Sequence, residues 1–299
     1  MISSIKLVSG LTRLYPFYSG CGTLANHPFV KRFVGAKDEA VWTRVPGGEV
    51  LAPLGDFVGR AAYFSGDLDR KVTWICSRLI RPGDTVMDIG ANIGIVTVWM
   101  ASLVGSSGHV HSFEPNPSLI HLLRQVIDRN QLHSVTLHPI ALGSERGQLQ
   151  LRVPMSNAGA ASFVRNHDSQ DCRAVDVPVM PISAIAEEGS IRSVRLIKID
   201  VEGYELEVFR GARDMLRSVR PDAILFELNE HGNKVASEHP LIKILVEYDY
   251  SLLAIPRSLV RMRLNLVDLN AGGRLSGNDF LAVARGAQHR EILALVNAV

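Results

Sequence analysis

Two patterns alternate along this chain: short apolar runs closed by turn residues, and longer stretches whose apolar positions fall three or four residues apart. The short runs predict seven strands, near 85–89, 109–114, 134–138, 194–200, 222–228, 250–255 and 279–285. Helices are predicted between them. The stretch 117–130 carries Leu119, Leu122, Leu123, Val126 and Ile127 on one face, and 240–248 carries Leu241, Ile244, Leu245 and Tyr248. After the strand at 194–199, Leu206, Phe209, Ala212 and Leu216 recur at helical spacing. Alternating strands and helices imply an α/β fold around a doubly wound, mostly parallel sheet. The last strand follows its predecessor with no helical pattern between them, which predicts an antiparallel edge. Residues 148–153 and 174–179 alternate like an inserted hairpin, joined by the polar stretch 157–170, and a loop of that length usually carries function. No break interrupts the pattern from Val72 to Ala284, so we expect one large domain over 61–299 and an N-terminal extension over 1–60.

The run from Val86 to Gly94 places Asp88 at the end of an apolar strand and opens a helix through a glycine turn. Gly90 permits the turn, and Gly94 lets the helix pack closely on the sheet. A dinucleotide site needs a further glycine so that the backbone can approach a pyrophosphate, and Asn92 occupies that place. A nucleoside cofactor without phosphates fits better, and Asp88 suits one carrying positive charge, as S-adenosylmethionine does on its ammonium and sulfonium. Glu114 comes 20 residues after Gly94 at the end of the next strand, the spacing of an acid that takes both ribose hydroxyls. Standing alone, it reads as a solvated strand-end carboxylate. Asn116 is a helix cap first and a cofactor contact second, because Asn before Pro117 is what a helix start prefers. Asp200 and Glu202 sit at the carboxyl end of a central strand, in the crevice where open α/β sheets bind ligands. Glu202 and Glu205 also suit a helix dipole. Lys198 is expected to pack its stem and keep its head in water.

On the run Asp88 to Gly94 with Thr97, on Phe113 to Asn116, on Ala141 to Gly143, and on Ile197 to Gly203 followed by Gly211 and Ala212, the chain resembles the FkbM-type S-adenosylmethionine-dependent methyltransferases. The resemblance runs from about Asp56 to Ala284. The string from Lys198 to Gly203 is specific, whereas many methyltransferases share the first glycine motif. Ser144 stands where an acid is commoner, and Gly66 to Asp69 replaces a glycine-aromatic-glutamate pattern. The resemblance implies a Rossmann-like, seven-stranded sheet of methyltransferase type with an antiparallel last strand. It also implies cofactor contacts at Asp69, Asp88, Gly90, Ala91, Asn92, Gly94, Thr97, Glu114, Pro115, Asn116, Ala141 and Asp200. The reaction it implies is methyl transfer, usually to a hydroxyl on a sugar, glycan or polyketide-like natural product.

An alcohol is a weak nucleophile at neutral pH, so a base near its proton would help. Asp200, Glu202, Glu227 and His231 are the candidates, and His231 has the most suitable unperturbed pKa, although a lone His in a polar loop is ordinarily just solvated. Asp200, Glu202 and Glu227 are also oxygen ligands of the kind magnesium or calcium takes, but no spacing demands a metal and metal-free transfer is expected. The alternatives are N-methylation of a small molecule and a non-catalytic nucleoside-cofactor-binding protein. A nicotinamide oxidoreductase is disfavoured by Asn92.

Composition changes this picture little. Hydrophobic residues make up 46% of the 299, ample for a core, and the formal net charge of +2 argues against a nucleic-acid partner. Arg257, Arg261 and Arg263 read as a solvated segment unless the acceptor is anionic. The cysteines Cys21, Cys76 and Cys172 are odd in number and show no C-x-x-C, so a reducing cytoplasm is the expected home. The most apolar long window, 86–104, carries Asp88, Asn92 and two glycines and is no membrane span. The first 37 residues lack acids and hold Lys6, Arg13, Lys31 and Arg32, a pattern that a transit peptide or membrane-surface helix shares. We expect instead a cover over the active site, or a subunit contact in a homo-oligomer.

Overall fold

The central strands form where apolar residues run nearly unbroken in the computed structural model, which describes residues 2–34, 39–154, 161–163, 172–228, 238–258, 260–269, 275 and 277–298. β1 (Ala40–Val45) and β2 (Gly48–Pro53) make an antiparallel hairpin. β3 (Thr85–Ile89), β4 (His109–Phe113) and β5 (Val135–His138) start the main sheet. β6 (Ala141–Leu142), β7 (Gly147–Pro154) and β8 (Cys172–Met180) form a separate small sheet in the order β6-β8-β7. β9 (Leu196–Ile199), β10 (Ala223–Glu227), β11 (Tyr250–Ala254), β12 (Asn265–Leu266) and β13 (Asp279–Ala284) complete the main sheet, whose order is β12-β11-β13-β10-β9-β3-β4-β5.

From β10 to β5 all neighbours are parallel. The strand order reverses at β3, beside β9, and that switch point opens a crevice at the carboxyl ends of both strands. Alternate side chains serve opposite faces: Met87, Ile89, Ile197 and Ile199 enter one core, Val86, Val110 and Leu196 the other.

Two expectations are corrected. The main sheet has eight strands among the described residues rather than seven, because β12 pairs Asn265 and Leu266 with β11, a strand too short to show a period. The last strand, β13, is antiparallel to both neighbours, but it lies inside the sheet between β10 and β11 and not at its edge. Its run of buried residues, Phe280 to Val283, is apolar on both faces, which suits an interior strand. The inserted hairpin forms as β7 and β8, and Ser162 adds a bridge to Arg152.

The N-terminal residues share cores with the rest. Val50 and Ala52 of the hairpin pack on Ile93, Ile95, Val98, Leu119 and Val126, and Val30, Val34 and Leu54 pack on Ala61 and Phe64 of the helix Phe57–Ser65.

His109, His111 and His138 line one face of β4 and β5. His111 Nδ1 lies 3.1 Å from His138 Nε2, and the His138 ring stacks on Phe113 with centroids 4.4 Å apart. Burial, then His109 and His138, push His111 down to about 4 from 6.5. The unfolded chain therefore binds this proton at a higher pH than the folded one. Its stabilising contribution is full above about 6.5 and is lost as pH falls toward 4. The thermal midpoint is expected to drop between about pH 7 and about pH 5, and less steeply in His111→Phe, which keeps a ring at this position but not the titration. Equal slopes in the two proteins would remove His111 from the acid response.

Candidate functional site

A cavity of about 890 Å³ opens at the carboxyl ends of β3, β4, β9 and β10. The turn after β3 forms part of its wall. Gly90 has φ 78°, and a Cβ there would come within 1.8 Å of the Asp200 carbonyl oxygen, so two strand ends meet at a contact that excludes any side chain. Gly94 has φ 91°, and its Cβ would meet Leu123 Cδ1 at 2.5 Å. The close packing that Gly94 allows is thus against the helix Pro117–Arg129, not against the sheet. Asn92 adopts φ 55°, a left-handed conformation Asn tolerates well, and its Oδ1 accepts from the Ile93 N–H at 2.8 Å.

Glu114 is held by the backbone. Its Oε2 accepts from the Asn92 N–H and its Oε1 from the Asn116 N–H, each at 2.8 Å. Burial pushes its pKa up to about 7 despite these two bonds. Each oxygen keeps a second acceptor site, and the carboxylate lines the cavity beside Gly90, Ala91, Pro115 and Ala141. That wall could receive the sugar edge of a nucleoside. Glu114→Ala is expected to weaken binding of S-adenosylmethionine or S-adenosylhomocysteine by about 1 to 3 kcal/mol in calorimetry. An unchanged dissociation constant would dismiss this role.

Four expected contacts, Asp88, Gly94, Thr97 and Asn116, lie behind the wall. Asp88 is fully buried: Thr97 Oγ1 donates to its Oδ2 at 2.6 Å, and Lys198 Nζ lies 3.3 Å from its Oδ1. Thr97 in turn meets Ser112 Oγ at 2.9 Å. The alternation of β3 turns Asp88 toward the helix Ile95–Val104 and away from the cavity, so it cannot meet a cation of the cofactor directly. Asn116 is buried as the cap of Pro117–Arg129, its Oδ1 accepting from the Ser118 N–H at 3.1 Å.

Lys198 overturns its own expectation. Its head is buried, donates to the Gly90 carbonyl at 2.8 Å, and lies 3.6 Å from Asp200 Oδ2. Burial works against this ammonium, but Asp88 and Asp200 outweigh it and hold the pKa above its ordinary value. Asp88 and Lys198 are register partners across β3 and β9, so their side chains share one face. The signal in the sequence was a lysine between Ile197 and Ile199 on a strand covered on both sides, where no water is left for its head.

Asp200, Glu202 and Glu227 all line the cavity. Burial first, and then the charges of Asp200, Asp279, Glu202 and Glu205, push Glu227 up to about 8. Glu202, at the rim with φ 51°, rises to about 7 by desolvation and by Asp200 and Glu205. Asp69 caps the helix Arg70–Leu79 through the Lys71 N–H at 2.9 Å and reaches the wall from there. Lys71 was missed: its Nζ lies 3.2 Å from Asp69 Oδ2 and pairs with Asp279, which faces Glu227 across β13 and β10. Arg257, expected to be merely solvated, stands exposed at the rim, and Tyr15, Tyr18 and His27 reach the cavity from the N-terminal segment. His231 lies outside the described residues. Among the described residues, no group of three or more His, Cys, Asp or Glu side chains is placed to hold a metal ion.

The model of the methyltransferase FkbM domain matches residues 88–252, more than half of the chain. The chain is similar to the hexuronic acid methyltransferase AglP of Haloferax volcanii, 28% identical over 136 residues that cover 46% of this chain and 53% of that protein. It is also 28% identical over 198 residues to the 31-O-demethyl-FK506 methyltransferase FkbM of Streptomyces tacrolimicus, covering 57% of this chain and 75% of that one. The chain thus spans about half the length of the first of these relatives. Among solved structures, a methyltransferase FkbM from Methylobacillus flagellatus aligns with 17% identity and a TM-score of 0.40 over 68% of this chain and 48% of that chain.

Proposed function

This chain belongs to the FkbM methyltransferase family, and from that premise we propose that it methylates a hydroxyl on a sugar, glycan or polyketide-like small molecule. Its methyl donor is S-adenosylmethionine. Glu227 carries the choice of a hydroxyl: it is a cavity carboxylate pushed up to about 8, and once ionised it is a stronger base toward an alcohol's proton than an ordinary carboxylate. The relatives that act on a hexuronic acid and on demethylated FK506 support the same class of acceptor.

The residues fit the donor at one wall. Gly90 leaves a cradle that a Cβ would fill, and Glu114 offers two acceptor oxygens where ribose hydroxyls would lie. Ala91, Pro115 and Ala141 would border the nucleoside, with Asp69 and Lys71 on the wall as well. The bound donor supplies an electrophilic methyl carbon. Asp200 puts negative charge at the reacting end, and Lys198 holds Asp200 and the Gly90 turn in one arrangement. Glu227 takes the acceptor's proton, with Glu202 at the rim as the second base. From the N-terminal segment, Tyr15, Tyr18 and His27 line the cavity, where they would limit the access of water to the transfer.

The test is incubation with donor and a panel of hydroxylated and amine acceptors, read as a mass gain of one methyl. The rate should rise with pH through about 8, as Glu227 loses its proton, and Glu227→Gln should remove that rise and lower turnover by about a hundredfold. Methylation confined to amines, or a Glu227→Gln variant with the unaltered profile, would sink the hydroxyl reading.

A further inference from the structure

The helix Ile2–Thr12 is apolar on the side that faces water. Its inner face is fully used: Ile5 and Val8 pack against the core of Ala25, Val30 and Phe64, while the Ser9 and Thr12 hydroxyls donate to the carbonyls of Tyr63 and Phe64. Leu7 and Leu11, one turn apart on the opposite side, and Leu14 in the turn that follows the helix are 66%, 61% and 75% exposed. A helix packed on a core normally presents polar residues there. Phe29 is exposed on the following short helix Pro28–Lys31, and Lys6, Lys31 and Arg32 are exposed around these apolar groups. No Asp or Glu occurs before Asp38.

A second segment repeats the combination. Between β11 and β13, Val260 and Leu266 are exposed together with Arg257, Arg261 and Arg263. Both segments line the cavity, the first through Tyr15, Tyr18, Gly20 and His27 and the second through Arg257. Gly20, His27 and Arg257 are exposed and mark the opening.

We infer that these two segments form a docking face that seats the cavity mouth on an anionic phospholipid surface. Apolar side chains interleaved with lysine and arginine match the boundary between acyl chains and phosphate headgroups, where one kind enters and the other meets negative charge. A second copy of this chain is the poorer occupant. A two-fold contact lays a patch against itself, and an acid-free patch would bring Lys6, Lys31 and Arg32 against the same cations. Among the described residues no helix is long and apolar enough to cross a membrane, so the face lies on the surface rather than through it. Docked there, the cavity opens at headgroup level, where an amphiphilic acceptor can enter without crossing water.

The full chain, mixed with vesicles of phosphatidylcholine alone or with added phosphatidylglycerol, should co-sediment with the anionic vesicles only and be released as salt screens the headgroups. The triple variant Leu7→Ser, Leu11→Ser, Leu14→Ser should lose at least about tenfold in partitioning, as expected when an apolar anchor is removed. Its side chains lie outside the core, so its thermal midpoint and donor binding should match the parent. Should it misfold, the charge reversal Lys6→Glu, Lys31→Glu, Arg32→Glu asks the same question and should abolish binding to anionic vesicles. Failure of the parent to bind phosphatidylglycerol vesicles at low salt overturns the inference. So does undiminished binding by either folded variant, or a concentration-dependent dimer that the leucine substitutions dissolve.

Discussion

Asp200→Asn is expected to leave the fold intact and lower methyl transfer by a factor on the order of a hundred or more. The backbone at this position does the structural part: the Asp200 N–H donates to the Ile89 carbonyl at 3.0 Å, and the Asp200 carbonyl sits against Gly90. Asn keeps both and removes only the charge on the cavity wall. A second effect separates an electrostatic role from a merely steric one. Asp200 is the first charge, after burial itself, among the causes that raise Glu227 to about 8. Without it Glu227 should ionise at lower pH, so the rise of rate with pH should move toward acid in Asp200→Asn. A folded variant with full activity and an unmoved profile would show that the reaction centre lies elsewhere in the cavity.

Lys198→Met is expected to destabilise the protein by about 3 to 5 kcal/mol, because it leaves the fully buried Asp88 without the cation 3.3 Å from it. Thr97 still donates to one oxygen, but a neutral hydroxyl does not offset a buried charge. The double variant Asp88→Asn, Lys198→Met should recover most of the loss, since replacing both members of a buried pair by neutral groups of similar size is often close to neutral. Its activity should stay low, because the Gly90 carbonyl and Asp200 both lose the ammonium that joins them. Urea denaturation of the four proteins in this cycle measures the coupling. Equal stabilities for Lys198→Met and the parent would mean that Asp88 does not depend on the ammonium beside it.

Much of the site was legible because its groups are neighbours along the chain or stand at strand ends. Gly90, Glu114 and Asp200 follow apolar runs whose lengths set where each strand stops, and parallel strands in an open α/β sheet bring such ends together. Asn116 reads correctly as a cap for the same local reason. The apolar runs and helical spacings likewise determine the class of fold, the antiparallel sense of the last strand and the inserted hairpin.

What only the tertiary structure decided depends on faces and on long-range approach. Strand alternation says that Asp88 points to one side of the sheet, but not that a helix seals that side and turns Asp88 into the partner of Lys198. Lys71 and Asp279 are 208 residues apart, and no local pattern announces their pairing. β13 lies between β10 and β11 because a strand buried on both faces gains a neighbour on each edge, a choice that costs nothing along the sequence and is made only when the sheet assembles. The basicity of Glu227 is of the same kind: it comes from the desolvation and the crowd of carboxylates that the ends of β9, β10 and β13 create, and from no property of its own neighbours in the chain.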